Sequence, residues 1–302
     1  MTNEDEIAKS LVTIRDYIRY AMSRFTQAKV FYGHGTDNAW DEAIRLIFPI
    51  LNLPHDADER VLDAVLTMSE RKLLVRLIET RTQERIPVPY LTSEAYFAGL
   101  RFVIDERVLI PRSPIAELID NQFQPWLKNI PRRVLDLCCG SGCIGIACAE
   151  YFGSDVVLAD ISVDALEIAR KNISLYQLQS SVSLVESDIF DGVEGQFDLI
   201  VSNPPYVDSG DLATMPAEYK HEPRIALEAG SDGLYFANKI LLNAHEYLSE
   251  DGLLIVEVGN SWSHLEAAYA DVPFTWVEFE RGGHGVLAFQ KHELNSYFSG
   301  ST

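Results

Sequence analysis

From about Pro131 onward the chain alternates short apolar runs with amphipathic ones. That alternation limits the fold more than any other feature of the 302 residues. RRVLDLC, SDVVLAD, SVSLVES, FDLIVSN and DGLLIVEVG read as five strands, and SGCIGIACAEYF, VDALEIARKNISLY, YFANKILLNAHEYLS and SHLEAAYA read as helices. Strands that alternate with helices pack as a parallel sheet covered on both faces. Two further strands, FTWVEFE and GVLAFQK, are separated by only a few residues around Gly282 and Gly283. That gap is too short for a parallel crossover, so the pair is expected to be antiparallel.

The first part of the chain has a different texture. Leu11, Ile14, Ile18 and Met22 repeat at helical spacing within IAKSLVTIRDYIRYAMSRF, and AWDEAIRLIFPIL and DERVLDAVLTMSERKLLVRLIE read as two more helices. The expected organisation is a small helical domain over residues 1–85, a linker hairpin over 86–114 and the sheet domain over 115–302. Hydrophobic residues make up 47% of the chain, which excludes a disordered protein. Lys and Arg number 25 against 45 Asp and Glu, for a net charge of −20. Free nucleic acid is therefore a poor candidate partner; the charge suits either a basic protein partner or solubility alone. The cysteines fall at 138, 139, 143 and 148 without paired zinc-site spacing, so no metal site is expected and a reducing compartment is. No apolar run reaches the roughly 18 residues of a membrane span. The opening MTNEDEIAKS is too polar for a signal peptide, so a soluble cytoplasmic protein is expected.

The first strand runs into Asp136-Leu137-Cys138-Cys139-Gly140-Ser141-Gly142 and then a helix. Glycines at such a turn allow a ligand close to bare backbone, and the helix start behind them offers free N–H groups. The second strand ends at Asp160, where a carboxylate can grip a ribose diol. The third runs into Glu186-Ser187-Asp188-Ile189-Phe190. There Asp188 suits an adenine amino group or a helix cap equally, and Ile189 can cover a ring. These features point to an adenosine cofactor, with NAD and S-adenosylmethionine both open.

The fourth strand ends in Ser202-Asn203-Pro204-Pro205-Tyr206. Two prolines stiffen the backbone and remove two N–H groups. The side-chain carbonyl of Asn203 and the carbonyl of Pro204 then form a pair of acceptors, beside the ring of Tyr206, suited to a planar NH2 group. An amide nitrogen is a poor nucleophile because its lone pair is delocalised. As it attacks a methyl carbon its hydrogens become more acidic, so acceptors there stabilise the transition state more than the ground state.

Asn203-Pro204-Pro205-Tyr206 resembles the NPPY motif of S-adenosylmethionine-dependent amino-methyltransferases, whose acceptors include DNA adenine, ribosomal RNA guanine and protein glutamine. Ile110-Pro111-Arg112, and Glu222-Pro223 with Ala226-Leu227 followed by Gly233-Leu234, narrow the resemblance to the protein N5-glutamine methyltransferases across both domains. Release-factor enzymes of that group usually read IPRPETE. Here Ser113-Pro114-Ile115 follows Arg112, and FYGHGTDNAWDEA and VEVGNS also occur, which resembles the branch acting on large-subunit ribosomal protein L3. The alternatives are the release-factor branch and a nucleic-acid amino-methyltransferase. The resemblance implies a Rossmann-like methyltransferase sheet, with S-adenosyl-L-methionine as cofactor and a ribosomal protein as substrate. It implies cofactor contacts at Asp136, Cys138, Cys139, Gly140, Ser141, Gly142, Asp160, Asp188, Ile189 and Asn203. Catalysis falls to Asn203, Pro204 and Tyr206, and substrate binding to the same three with Pro205. The long loop 207–231 is expected to help form the substrate groove, with Arg112 and Glu222 paired as scaffold.

Overall fold

In the computed structural model, which describes residues 3–298, the chain divides into two units. Met1–Ala95 with Pro216–His221 form the first, and Tyr96–Met215 with Glu222–Thr302 form the second. The opening Met1 and Thr2 of the sequence lie outside the described residues.

The first unit is helical: α1 (Asn3–Ser10), α2 (Ile14–Ala28), α3 (Ala39–Ile50), α4 (Met68–Gln83) and the short α5 (Val88–Thr92). The single helix expected through residues 7–25 is two helices. Thr13 accepts from the Asp16 N–H and Asp16 accepts back from the Thr13 N–H, a capping box that starts α2 afresh. The buried face is accordingly Ile14, Tyr17, Ile18, Ala21 and Phe25, and Leu11 and Met22 only flank it. A second capping box, Thr67 with Glu70, divides the helix expected through 58–79 into a 3-10 turn (Glu59–Asp63) and α4. Arg81, 1% exposed, is the polar centre of the unit. It donates to Glu42 (2.7 Å), to Glu218 (3.1 Å) and to the Phe31 carbonyl (2.8 Å). Glu218 comes from the distant segment 216–221, so that return of the chain is held by a buried charge.

The hairpin β1 (Glu94–Phe97) and β2 (Leu100–Val103) leads from one unit into the other. In the second unit follow α6 (Ile115–Asp120), β3 (Arg133–Leu137), α7 (Cys143–Phe152), β4 (Asp155–Asp160), α8 (Val163–Leu175), β5 (Val182–Glu186) and β6 (Phe197–Ser202). Then come α9 (Ser209–Thr214), α10 (Tyr235–Tyr247), β7 (Leu248–Glu257), α11 (Trp262–Ala268), β8 (Thr275–Trp276), β9 (Val286–Gln290) and α12 (Lys291–Tyr297). The sheet runs β5-β4-β3-β6-β7-β9-β8. Its first five strands are mutually parallel, and β9 is antiparallel to both β7 and β8. This is the expected Rossmann-like sheet with its antiparallel end. Strand β8 is shorter than the FTWVEFE run suggested.

The central strands β3, β6 and the second half of β7 bury nearly continuous apolar runs, as helix-covered sheets require, whereas β5 at the edge buries only Val182. Leu135, Leu137, Ile200, Leu254 and Val256 pack with Ile240, Leu241 and Ala244 of α10 in the main core. Asn172 of α8, fully buried, receives the Val103 N–H and donates to the carbonyls of Val103 and Ser141. One side chain thereby ties the hairpin to the turn after β3. Strand order reverses between β3 and β6, and ligands of open α/β sheets bind in the crevice at that switch point.

Candidate active site

A cleft enclosing about 890 Å³, part of it open to solvent, lies at the carboxyl ends of β3, β4, β5 and β6. Among the sequence-predicted residues it is lined by Cys138, Cys139, Gly140, Ser141, Asp160, Asp188, Ile189, Asn203 and Pro205. Asp136, Gly142, Pro204 and Tyr206 do not line it.

The turn after β3 follows from its backbone. Cys138 has φ 57°, Gly140 54° and Gly142 78°, so the chain reverses within a few residues. Nothing stands within 4 Å of a Cβ built on Gly140, so its bare backbone faces open space. Asp160 fixes this turn: its carboxylate accepts the Gly140 N–H at 2.8 Å and the Ser162 N–H at 2.9 Å. Burial pushes the Asp160 carboxyl up from its ordinary pKa, against the pull of those two donors. Asp136 works one layer below. It is 1% exposed and accepts the Gly145 N–H at 2.8 Å, which moors the first turn of α7, and its other oxygen has no partner. Burial raises its pKa to about 7. Asp136 thus holds the start of the helix behind the turn. Burial also pushes up the thiols of Cys138 and Cys139, so they act here as small apolar walls.

At the end of β5, Asp188 lines the cleft and its carboxylate accepts from Lys239 at 3.0 Å. Both side chains are more than a third exposed, at 37% and 38%, so the pair contributes about 0–1 kcal/mol. Ile189 holds a left-handed φ of 56° and lines the cleft beside it.

At the end of β6, Ser202 donates to the Leu137 carbonyl at 2.8 Å and locks the tips of β6 and β3 together. Asn203 follows directly and lines the cleft, and its Oδ1 is buried with no hydrogen-bond partner. An unsatisfied buried acceptor costs about 1–3 kcal/mol, which a ligand N–H would relieve. Tyr206 stands off the cleft wall. It rests on Gly259, where a Cβ would approach it to 2.4 Å, and its hydroxyl donates to Glu257 at 2.9 Å.

The strap at 107–113 forms the opposite wall. Arg112 donates to both oxygens of Glu222, at 2.5 and 2.9 Å, and the Ile110 N–H adds a third bond at 3.0 Å, so the expected pair exists. Ile225 and Ala226 bring the loop after Tyr206 to the cleft. Sequence reasoning missed Ile161, Ser162 and Phe236 as lining residues, although the first two directly follow Asp160.

The donor set fits an adenosine-type methyl donor. The open Gly140 backbone, the Asp160 carboxylate and Ile189 suit its nucleoside, and the unpartnered Asn203 acceptor lies on the same cleft.

Comparison with known proteins decides the family. The chain is 50% identical to the ribosomal protein uL3 glutamine methyltransferase of Francisella tularensis over 298 residues, covering 97% of this chain and 95% of that protein. The chain belongs to that family. The Neisseria gonorrhoeae member of the uL3 glutamine methyltransferases is 45% identical over 293 residues, covering 96% of this chain and 98% of the relative. Residues 118–219 match the methyltransferase small domain. Among solved structures, the hMettl16 catalytic domain in complex with the MAT2A 3'UTR hairpin 6 has a TM-score of 0.51 at 18% identity. It covers 73% of this chain and 81% of that one, a likeness of fold alone.

Proposed function

We propose that this enzyme transfers a methyl group from S-adenosylmethionine to the side-chain amide nitrogen of a glutamine in ribosomal protein uL3. The substrate rests on the near full-length identity to two uL3 glutamine methyltransferases, and the same identity disfavours the release-factor alternative. The chemistry rests on one observation above the others: Asn203 Oδ1 is buried, unpartnered and on the cleft.

In this reading the cofactor, when bound, supplies an electrophilic methyl carbon on a sulfonium sulfur. The turn Cys138–Gly142, Asp160, Asp188 and Ile189 hold its nucleoside, with Asp136 supporting the turn from beneath. Asn203 Oδ1 and the Pro204 carbonyl accept the two hydrogens of the target amide, and Pro205 stiffens the turn. These acceptors orient the nitrogen, and they bind its hydrogens more strongly as positive charge develops. No strong base is required before attack, since the proton leaves afterwards. Tyr206 supports the turn from behind.

The net charge of −20 suits a basic ribosomal protein better than free nucleic acid. The helical unit is assigned to substrate recognition. A cytoplasmic setting follows from the ribosomal substrate. Among the described residues no helix is long and apolar enough to cross a membrane.

Incubation with methyl-labelled cofactor and separate pools of uL3, release factor and RNA tests the reading. Label is expected on a uL3 glutamine. Label confined to release factor or RNA would overturn the assignment.

A further inference from the structure

Glu257 closes β7, beside the strand end that carries Asn203, and is 5% exposed. Its two oxygens receive two hydroxyls from distant parts of the chain. Tyr206 donates to Oε1 at 2.9 Å, and Ser113 donates to Oε2 at 2.5 Å. A carboxylate only accepts, so it dictates where both hydroxyl protons point. Ser113 is itself 6% exposed, lines the cleft and accepts the Ile115 N–H at 3.1 Å at the start of α6. Tyr206 is held on two further sides, by the Ser261 hydroxyl on its carbonyl at 2.7 Å and by Gly259 against its ring.

We propose that Glu257 is a positioning residue for methyl transfer: by bridging Ser113 and Tyr206 it locks the strap that walls the cleft to the turn that presents Asn203 and Pro204. Glu257 itself does not line the cleft. A buried carboxylate is costly unless its hydrogen bonds are made, so here the cost is met by two bonds that each fix one side of the cleft. The carboxyl is pushed above its ordinary pKa by burial, with the Ser113 and Tyr206 bonds and the charges of Arg112 and His284 pulling the other way. The proposal deepens the reading of Asn203–Tyr206 as the amide-holding turn and rests on it.

The test is steady-state methylation of uL3 by the full chain, with cofactor affinity measured by calorimetry. Tyr206→Phe, Ser113→Ala and Glu257→Gln each leave one hydrogen bond unmade or weakened while keeping the shape of the site. Each is expected to lower kcat roughly tenfold, with cofactor Kd within about twofold of the parent. Because both hydroxyls act through one carboxylate, Tyr206→Phe combined with Glu257→Gln is expected to lose little more than either alone. Losses that multiply, losses confined to cofactor Kd, or changes below about threefold would each overturn the proposal. Should Glu257→Gln fail to fold, the Tyr206→Phe and Ser113→Ala pair decides by the same non-additivity. Asn203→Ala, run alongside, separates the two ideas. Full activity in that variant removes the acceptor-turn reading. An inactive Asn203→Ala beside active Glu257→Gln and Tyr206→Phe removes only the role of Glu257.

Discussion

The Asp160 carboxylate accepts the backbone N–H of Gly140 at 2.8 Å, twenty residues back in the chain, and so joins the tip of β4 to the turn after β3. One side chain therefore shapes the turn and presents a charge to the cleft. Asp160→Ala removes both functions. Cofactor affinity is expected to fall roughly ten- to a hundredfold, as for a lost hydrogen bond to a charged group. Calorimetric titration with S-adenosylmethionine checks this, and an unchanged Kd would contradict it.

Asp136 makes a prediction about pH. Its folded pKa is raised to about 7 from an ordinary 3.8 by burial, so between those values the folded state binds the proton more tightly than the unfolded chain. Stability from this group is full below about pH 4 and is lost as pH rises through about 7. Asp136→Asn removes the titration while keeping an acceptor for Gly145. The variant's melting temperature, measured against the parent's across that window, is expected to gain on it as pH rises. Parallel curves would refute the linkage.

Arg81 separates the buried carboxylates of Glu42 and Glu218 in the first unit. Net of burial, which acts the other way, the Phe31 N–H and Arg81 hold the Glu218 carboxyl below its usual range. Arg81→Met takes the cation from buried Glu42 and leaves Glu218 with Arg85 alone, at 3.3 Å, and is expected to cost about 3–5 kcal/mol. Urea unfolding measures it, and a loss under about 1 kcal/mol would mean the site relaxes to admit water.

Asn203→Ala is expected to lower turnover roughly 100- to 1000-fold, by analogy with removing one polar group that contacts developing charge. Cofactor affinity should change far less, since most of the proposed nucleoside contacts stand at the ends of β3 to β5. Single-turnover methylation of uL3 checks the first and calorimetry the second.

The strands and the tips that carry the site were legible because they are written locally. Apolar runs set β3 to β7, and Gly140, Asp160, Asp188 and Asn203 stand directly at or after strand ends. The breaks before α2 and α4 were equally local, in Thr13-x-x-Asp16 and Thr67-x-x-Glu70, but the apolar period was read straight through them. What sequence hides is long-range partnership. Glu257 carries no motif and gains its meaning only from Ser113 and Tyr206, 144 and 51 positions away. The return of Glu218 to Arg81, across 137 positions, is likewise a product of topology. Tyr206 was assigned to the amide plane on its place in the motif. Gly259 and Glu257, which hold its ring and its hydroxyl, lie at another strand end.

The account stands on Asn203 as the acceptor that holds the reacting amide. The most direct measurement is a crystal structure of the enzyme with S-adenosylhomocysteine and a glutamine-containing uL3 peptide. The account predicts Asn203 Oδ1 at about 2.7–3.2 Å from the glutamine side-chain nitrogen, with that nitrogen facing the cofactor sulfur. A glutamine bound elsewhere, with Asn203 Oδ1 satisfied by water or by another side chain, would contradict it.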